Sequence, residues 1–254
     1  MMKISKYFFV SFIFTYLYLP LIYLIINSFN SNRYGYKWGD FSLKWYYSLF
    51  MNTELTTALF HSLFLAFCSA TLALVIGVLI AHALNRYHFR YKSLSSSLIF
   101  ICIMSPDIIL AIAFLILFIA LDIELGFYSL LIAHTTFCIP FVVIIVYASL
   151  QKLSVDVIDV ARDLGATESH VFLRIILPQI RNAIISGWLL SFTLSLDDVI
   201  ISSFVNGSEY EILPIKVFSM VKIGVSPEIN VIATILLFLL LMISGIALLL
   251  TRKK

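Results

Sequence analysis

Three carboxylates, Asp107, Asp197 and Asp198, interrupt stretches that are otherwise apolar over twenty or more positions. A carboxylate near the centre of a bilayer costs at least about 2.5–3.5 kcal/mol on insertion scales, so it usually faces a water-filled cavity or a partner. Ser191 and Ser195 stand four apart just before the Asp pair and so share one helix face. Fixed acids spaced along a path, with hydroxyls between them, suit a solute that carries two or three ammonium groups. Adjacent helical residues point about 100° apart, so Asp197 and Asp198 need not face the same space. Plainer readings stay open. Asp107 follows Pro106 and also suits the cap of a helix restarted there, and the Asp pair also suits an interfacial helix end. Trp45, Tyr46, Tyr47 and Phe50 form an aromatic cluster. It serves either as a cation–π cage, worth roughly 0.5–2 kcal/mol per contact, or as an interfacial anchor.

Other chemistry finds little support. The five histidines, His61, His82, His88, His134 and His170, are scattered, and neither HExxH nor GxSxG occurs. No Gly-rich phosphate loop of the Walker kind is present, so the chain is not expected to bind ATP in that way. Cys68, Cys102 and Cys138 lie in apolar runs without metal-ligand spacing and read as small core hydrophobes. No metal site and no catalytic set is expected. The net charge of +3 is dispersed over short loops rather than gathered into a basic face, which argues against nucleic acid.

These residues must be positioned by membrane-spanning helices. With 61% hydrophobic and 12% charged residues and a mean hydropathy of +1.03, 254 residues cannot hide their apolar surface in one water-soluble core. Spanning helices need about 20 mostly apolar residues. Six segments qualify: Tyr7–Ile26, Ala58–Leu84, Leu98–Leu121, Phe127–Leu150, Ile180–Val205 and Ile229–Leu250. The first is too long for a secretory signal and lacks a small-residue cleavage site, so it reads as a retained span. A rise of about 1.5 Å per residue puts Asp197 roughly 24 Å along span five from Arg181, and Asp107 roughly 14 Å into span three. With the N-terminus inside, twelve of the 17 Lys and Arg residues fall on the cytoplasmic side and five outside. Both termini are therefore expected in the cytoplasm. The expected organisation is one transmembrane domain over residues 1–254, with a cytoplasmic loop at 151–179 within it.

That loop has the sharpest pattern. Ser154 is placed to cap a helix whose first turn holds Asp156, and Val157, Ile158, Ala161 and Leu164 then make an apolar stripe. Gly165 stops that helix. Thr167 caps a second, containing Val171, Phe172 and Ile175, which Pro178 ends or kinks. Periodicity alone allows a hairpin lying on the membrane surface or an element that docks a cytoplasmic partner. Glu168 either complements the helix dipole or pairs with a base on such a partner.

The run Asp159-Val160-Ala161, then Gly165 after three residues, then Ile175-x-Leu177-Pro178 after nine more, resembles the EAA motif of ABC-importer permeases. Asp159 replaces the usual Glu and Val160 the first Ala. Ser42-Leu43-Lys44-Trp45-Tyr46-Tyr47, Ser195-Leu196-Asp197-Asp198 and Gly224-Val225-Ser226-Pro227-Glu228-Ile229-Asn230 resemble the PotC-type spermidine/putrescine permeases within that class. Two departures are His61, where many relatives carry Asn, and Glu211-Ile212-Leu213-Pro214 in place of Thr-Leu-Pro.

The resemblance implies an all-α, polytopic type I ABC importer (MetI-like) fold in the bacterial inner (plasma) membrane. It implies a transmembrane subunit without catalytic residues, moving polyamines along a path that includes Asp107, Ser195, Asp197, Asp198 and Trp45. Asp159, Ala161, Gly165, Glu168 and Pro178 would then couple the chain to an ATPase. Implied partners are a second permease, two ATP-binding cassette subunits and an external solute-binding protein. The chain would bind no cofactor itself, with ATP and Mg²⁺ held by the ATPase. Another small cation or ferric iron is the alternative cargo within the class, and a stand-alone channel or secondary transporter the alternative outside it.

Overall fold

The computed structural model describes residues 2–33, 37–224 and 226–252. Val225, in the run before the sixth span, and Lys253 and Lys254, in the internal basic count, lie outside the described residues. Among the described residues the chain is helical almost throughout, and the only strand-like pairing is an isolated antiparallel bridge between Asn30 and Phe41. The helices are α1 (Met2–Ser28), α2 (Lys44–Met51), α3 (Thr53–Arg86), α4 (Lys92–Met104), α5 (Asp107–Ala120) and α6 (Phe127–Leu150). They continue as α7 (Val155–Asp163), α8 (Glu168–Gln179, with a π-helical turn at Val171–Ile176), α9 (Arg181–Asp197), α10 (Ile200–Val205), α11 (Leu213–Ile223) and α12 (Pro227–Arg252).

Among the described residues, four helices are long and apolar enough to cross a bilayer unbroken: Phe9–Ser28 of α1, α3, α6, and Pro227–Leu249 of α12. The other two expected spans are bent. α4 and α5 meet at 110°, and α8 and α9 at 73°. Counting each bent pair once gives up to six spans, the second pair joining α8 of the expected internal loop to α9 of the expected fifth span.

The first bend has a local cause. Pro106 lacks an N–H and drives Ser105 out of helical geometry, to φ −71° and ψ 134°. Ser105 closes the last turn of α4, its N and Oγ both donating to the carbonyl of Ile101 at 2.9 and 2.7 Å. A depth for Asp107 reckoned along a straight third span therefore does not apply. The fifth span breaks as well, ending at Asp197 and resuming at Ile200.

The packing divides the chain into two compact units, Met1–Thr57 with Lys216–Ile243, and Ala58–Ile215 with Ser244–Lys254. In the first unit, α1 leaves every side chain from Phe9 to Tyr23 exposed, a helix that lipid or another protein must cover. The segment after α1 is held by Asn30, whose Oδ1 accepts from Asn32 N at 3.0 Å and Gly39 N at 2.9 Å. Ser48 Oγ donates to Glu228 at 2.8 Å, and Lys216 pairs with Glu54 at 2.9 Å.

In the second unit, α6 runs through the core. α3 presents it a stripe of small residues, with Ala66, Ser69, Ala70, Ala73 and Ala81 all fully buried. Without a hydrophobic drive between helices in lipid, such stripes allow the close approach that van der Waals packing needs. At Gly77 the approach is closest, because a Cβ there would lie 2.7 Å from Val142 Cγ1. One cluster joins Ala73, Val78 and Leu84 of α3 to Val142, Val146 and Leu150 of α6 and to Val171 and Ile176 of α8. A second joins Leu65, Phe118, Leu130, Ile201 and Val205. Of the three cysteines expected as small core hydrophobes only Cys138 is buried, whereas Cys68 is half-buried and Cys102 exposed, and none forms a disulfide.

Candidate functional site

The three intramembrane acids fall into different surroundings. Asp107 opens α5 and is exposed. Asp197 is the last residue of α9 and is also exposed. Asp198 is turned into the protein, with its side chain 7% exposed. Its Oδ2 accepts from Ser202 N at 2.8 Å and from Ser202 Oγ at 2.7 Å, and its Oδ1 accepts from Ile201 N at 3.3 Å. That is the work of an N-cap carboxylate, satisfying the free N–H groups of α10 where the span resumes. The two neighbouring acids have thus separated: one exposed carboxylate, and one that restarts a helix.

Ser195 and Ser191 are also buried, on the inward face of α9. Ser195 Oγ receives a hydrogen bond from Ser69 Oγ at 2.9 Å and lies 2.7 Å from His134 Nδ1. His134 Nε2 lies 2.9 Å from Ser202 Oγ and 3.6 Å from Asp198 Oδ2. A buried chain of five side chains therefore crosses α3, α6, α9 and α10. Ser191 Oγ finds no partner among the described residues. Sequence reasoning set His134 aside as one scattered histidine and did not single out Ser69 or Ser202. A histidine well inside a span is itself the signal that should have marked it.

Trp45 is half-buried, and its indole N–H donates to Asn30 O at 2.9 Å. Lys44 Nζ stands 4.5 Å from the ring centroid, so this chain already places a cation over that face. Tyr46 stacks on Phe29 at 5.2 Å and bonds Ser28 Oγ at 2.9 Å, whereas Tyr47 and Phe50 are exposed. The four aromatics do not close a single cage, and Trp45 and Tyr46 are tied to the segment that follows α1.

The two family departures prove to be neighbours. His61 Nδ1 donates to Glu211 O at 3.1 Å, and its ring stacks on Tyr210 at 4.0 Å. Ser62 Oγ accepts from Leu213 N at 2.7 Å, fixing the same segment. Burial pushes the Tyr210 phenol up to about 12, so it stays a neutral donor, bonding His61 O at 3.1 Å.

The internal loop folds as two short helices joined at Gly165, whose φ of +83° suits a residue without a Cβ. Ala166 N reaches back to Ala161 O at 3.0 Å, closing the end of α7. Thr167 caps α8 as expected, its Oγ1 accepting from His170 N at 3.3 Å. The apolar stripe expected on α7 is divided. Ile158 and Ala161 pack into the core, whereas Val157, Val160 and Leu164 stay exposed, Leu164 at 84%. The outward three, at positions i, i+3 and i+7, form an apolar face that this chain leaves uncovered. Asp159, Gly165, Glu168 and Pro178 are exposed around it. Arg162 pairs with Glu168, and with Asp159 at 3.8 Å, bracing one helix against the other. Phe172 tilts against His82 at 4.6 Å, seating α8 on the end of α3.

A family model described as "Binding-protein-dependent transport system inner membrane component" matches residues 73–252. The chain is 52% identical, over 97% of its own length and 93% of the other's, to the spermidine/putrescine transport system permease protein PotC of Escherichia coli strain K12. It is 50% identical to the protein of that name from Haemophilus influenzae, over 95% and 94% of the two chains. It is 41% identical to the putrescine transport system permease protein PotI of Escherichia coli strain K12, over 88% and 82%. Among solved structures it superposes with a TM-score of 0.76 on a chain of a bacterial ABC transporter that imports the acidic polysaccharide alginate, at 16% identity and covering 100% and 96%. The inward-facing MetNI methionine ABC transporter gives a TM-score of 0.67 at 18% identity, covering 78% and 94%. At such identities these structures speak for the fold alone.

Proposed function

The chain belongs to the binding-protein-dependent transport system inner membrane components, and from that membership we propose that it is a polyamine permease subunit, forming the translocation path of an ATP-driven importer with a second permease. The observation that carries the cargo assignment is the 52% identity, over nearly the full length of both chains, to permeases named for spermidine and putrescine. The exposed carboxylates of Asp107 and Asp197 support it, since ammonium groups need fixed acids beside a wet path.

In this reading an external binding protein delivers the polyamine, and two ATPase subunits inside bind ATP and Mg²⁺ and supply the energy. The chain itself holds no cofactor. The uncovered face of Val157, Val160 and Leu164, framed by Asp159, Gly165, Glu168 and Pro178, docks into a groove of the ATPase. Ala161 contributes from beneath, holding α7 to the core. Closure of the ATPases on ATP then moves α7 and α8, and α8 transmits the movement through the bend at Ile180 into α9. Both termini are cytoplasmic in this reading, which the excess of basic residues on the loop side supports. Within the buried chain, Ser195 and Asp198 shape the path from behind rather than touching cargo, while Asp197 faces it. Trp45, on its own unit, steadies the segment that follows α1.

The test is uptake of labelled putrescine, spermidine and ferric iron by cells lacking the chain, with and without its restoration. Polyamine uptake that returns only with the chain supports the assignment. If iron uptake alone returns, the permease reading stands and the polyamine reading fails.

A further inference from the structure

His134 has no part in the transport reading, yet it is 1% exposed and contacted at both ring nitrogens. Its two contacts straddle the break in the fifth span. Ser195 lies three residues before Asp198, on α9, and Ser202 four residues after it, on α10. The imidazole therefore bridges two half-helices whose own backbone ladder is interrupted.

The donor inventory gives the bridge a direction. Ser202 Oγ donates its one proton to Asp198 Oδ2 at 2.7 Å, so it must accept from His134 Nε2–H. Nδ1 is then an acceptor and takes the proton of Ser195 Oγ, which in turn accepts from Ser69 at 2.9 Å. The Ser195 and Ser202 hydroxyls each donate once, the Ser69 proton is shared between Ser195 Oγ at 2.9 Å and Ala66 O at 3.2 Å, and the chain ends on a carboxylate. The role needs a side chain with a donor at one end and an acceptor at the other, and an aliphatic residue of the same volume would leave Ser195 and Ser202 each short of a bond.

The residue next to this junction is Asp197, whose exposed carboxylate ends α9. Backbone torsions at Asp198 (φ −67°, ψ 121°) and Val199 (φ −108°, ψ −35°) set where that carboxylate points. We propose that His134 is a positioning residue for cation transfer: by tying Ser195 to Ser202 across the break, it fixes the junction and so the direction of the Asp197 carboxylate. The inference rests on the reading of Asp197 as a pathway acid.

The experiment is spermidine uptake by the complete transporter in proteoliposomes, measured for the unmodified chain, His134→Ala, His134→Gln, Asp197→Asn and the Ala/Asn double variant. His134→Ala raises KM about tenfold, the order expected when a buried hydrogen-bonded partner is removed. His134→Gln, whose amide both donates and accepts, recovers most of that loss. In the Asp197→Asn background His134→Ala adds nothing further, because the carboxylate it positions is gone. A change in Vmax alone, or KM effects that multiply in the double variant, overturns the inference. If His134→Ala does not assemble, Ser202→Ala cuts one link of the same chain and enters the same cycle, read in the same way. The unmodified transporter and the single Asp197→Asn variant separate the failures. No polyamine uptake by the former sinks the cargo reading and this inference with it, and normal KM in the latter sinks the pathway role of Asp197 and this inference with it. Multiplying effects in an otherwise active transporter sink only the role of His134.

Discussion

Replacing each acid of the Asp197–Asp198 pair by its amide separates transport from stability. The sequence suggests that Asp198→Asn cuts uptake and leaves assembly intact. The geometry assigns that phenotype to Asp197 instead. Asp198 accepts two short hydrogen bonds on Oδ2, at 2.7 and 2.8 Å, and a longer one of 3.3 Å on Oδ1, at a side chain only 7% exposed. Hydrogen bonds to a charged group contribute about 1.5–3 kcal/mol, and neutral ones about 0.5–1.5 kcal/mol. Asparagine keeps one oxygen for Ser202, loses the charge, and turns an N–H toward the donor of Ile201, a net loss of about 2 kcal/mol. At about 2–4 °C per kcal/mol for chains of this size, Asp198→Asn lowers the melting temperature of the purified complex by about 4–8 °C. Asp197→Asn alters an exposed group, and such changes usually stay within about 0.5 kcal/mol, so its melting point moves by less than about 2 °C while uptake falls. Thermal unfolding in detergent, followed by intrinsic fluorescence, reads the first quantity, and labelled spermidine uptake the second. Equal melting points for Asp198→Asn and the unmodified chain, or a loss in Asp197→Asn as large as in Asp198→Asn, would refute the separation.

Further expectations concern packing and coupling. Leu164→Asp changes a side chain 84% exposed in this chain; its fold and membrane insertion are expected to persist, while co-purification with the ATPase is lost, and unchanged recovery of the ATPase would rule out docking on this face. Gly165→Ala places a Cβ at φ +83°, a strain of about 1–2 kcal/mol; substrate-stimulated ATP hydrolysis should drop while basal insertion is kept, read by phosphate release in proteoliposomes. Gly77→Val drives a branched side chain into Val142, where even a Cβ would lie at 2.7 Å. Overpacking of that kind costs about 1–3 kcal/mol and is measured as a lower melting temperature, whereas a neutral result would mean that α3 and α6 can draw apart.

Much of this was readable in the order of residues, because the bilayer turns composition into architecture. A run of some twenty apolar residues must span, since its backbone can satisfy itself only as a helix. Thus the boundaries at Phe127 and Leu150, the stop at Gly165 and the cap at Thr167 all follow from local chemistry. The EAA-type spacing from Asp159 to Pro178 likewise pointed to the family, because that motif holds its glycine and its proline at fixed offsets.

Tertiary structure decided which way each residue faces. Val157, Ile158, Ala161 and Leu164 share one periodic stripe, yet only contact with α3, α6 and α8 tells the buried pair from the exposed one. Asp197 and Asp198 are chemically identical neighbours, and Ser202 and the break at Val199 make one a helix cap and leave the other exposed. Pro106 announces a break in the sequence, but its 110° angle depends on what the half-helices pack against. His134, Ser69 and Ser202 lie 65, 68 and 133 residues apart, taken in pairs, and no local pattern links them. Periodicity fixes the faces of one helix, and hydrogen-bond partners drawn from four helices are fixed only when those helices close on one another.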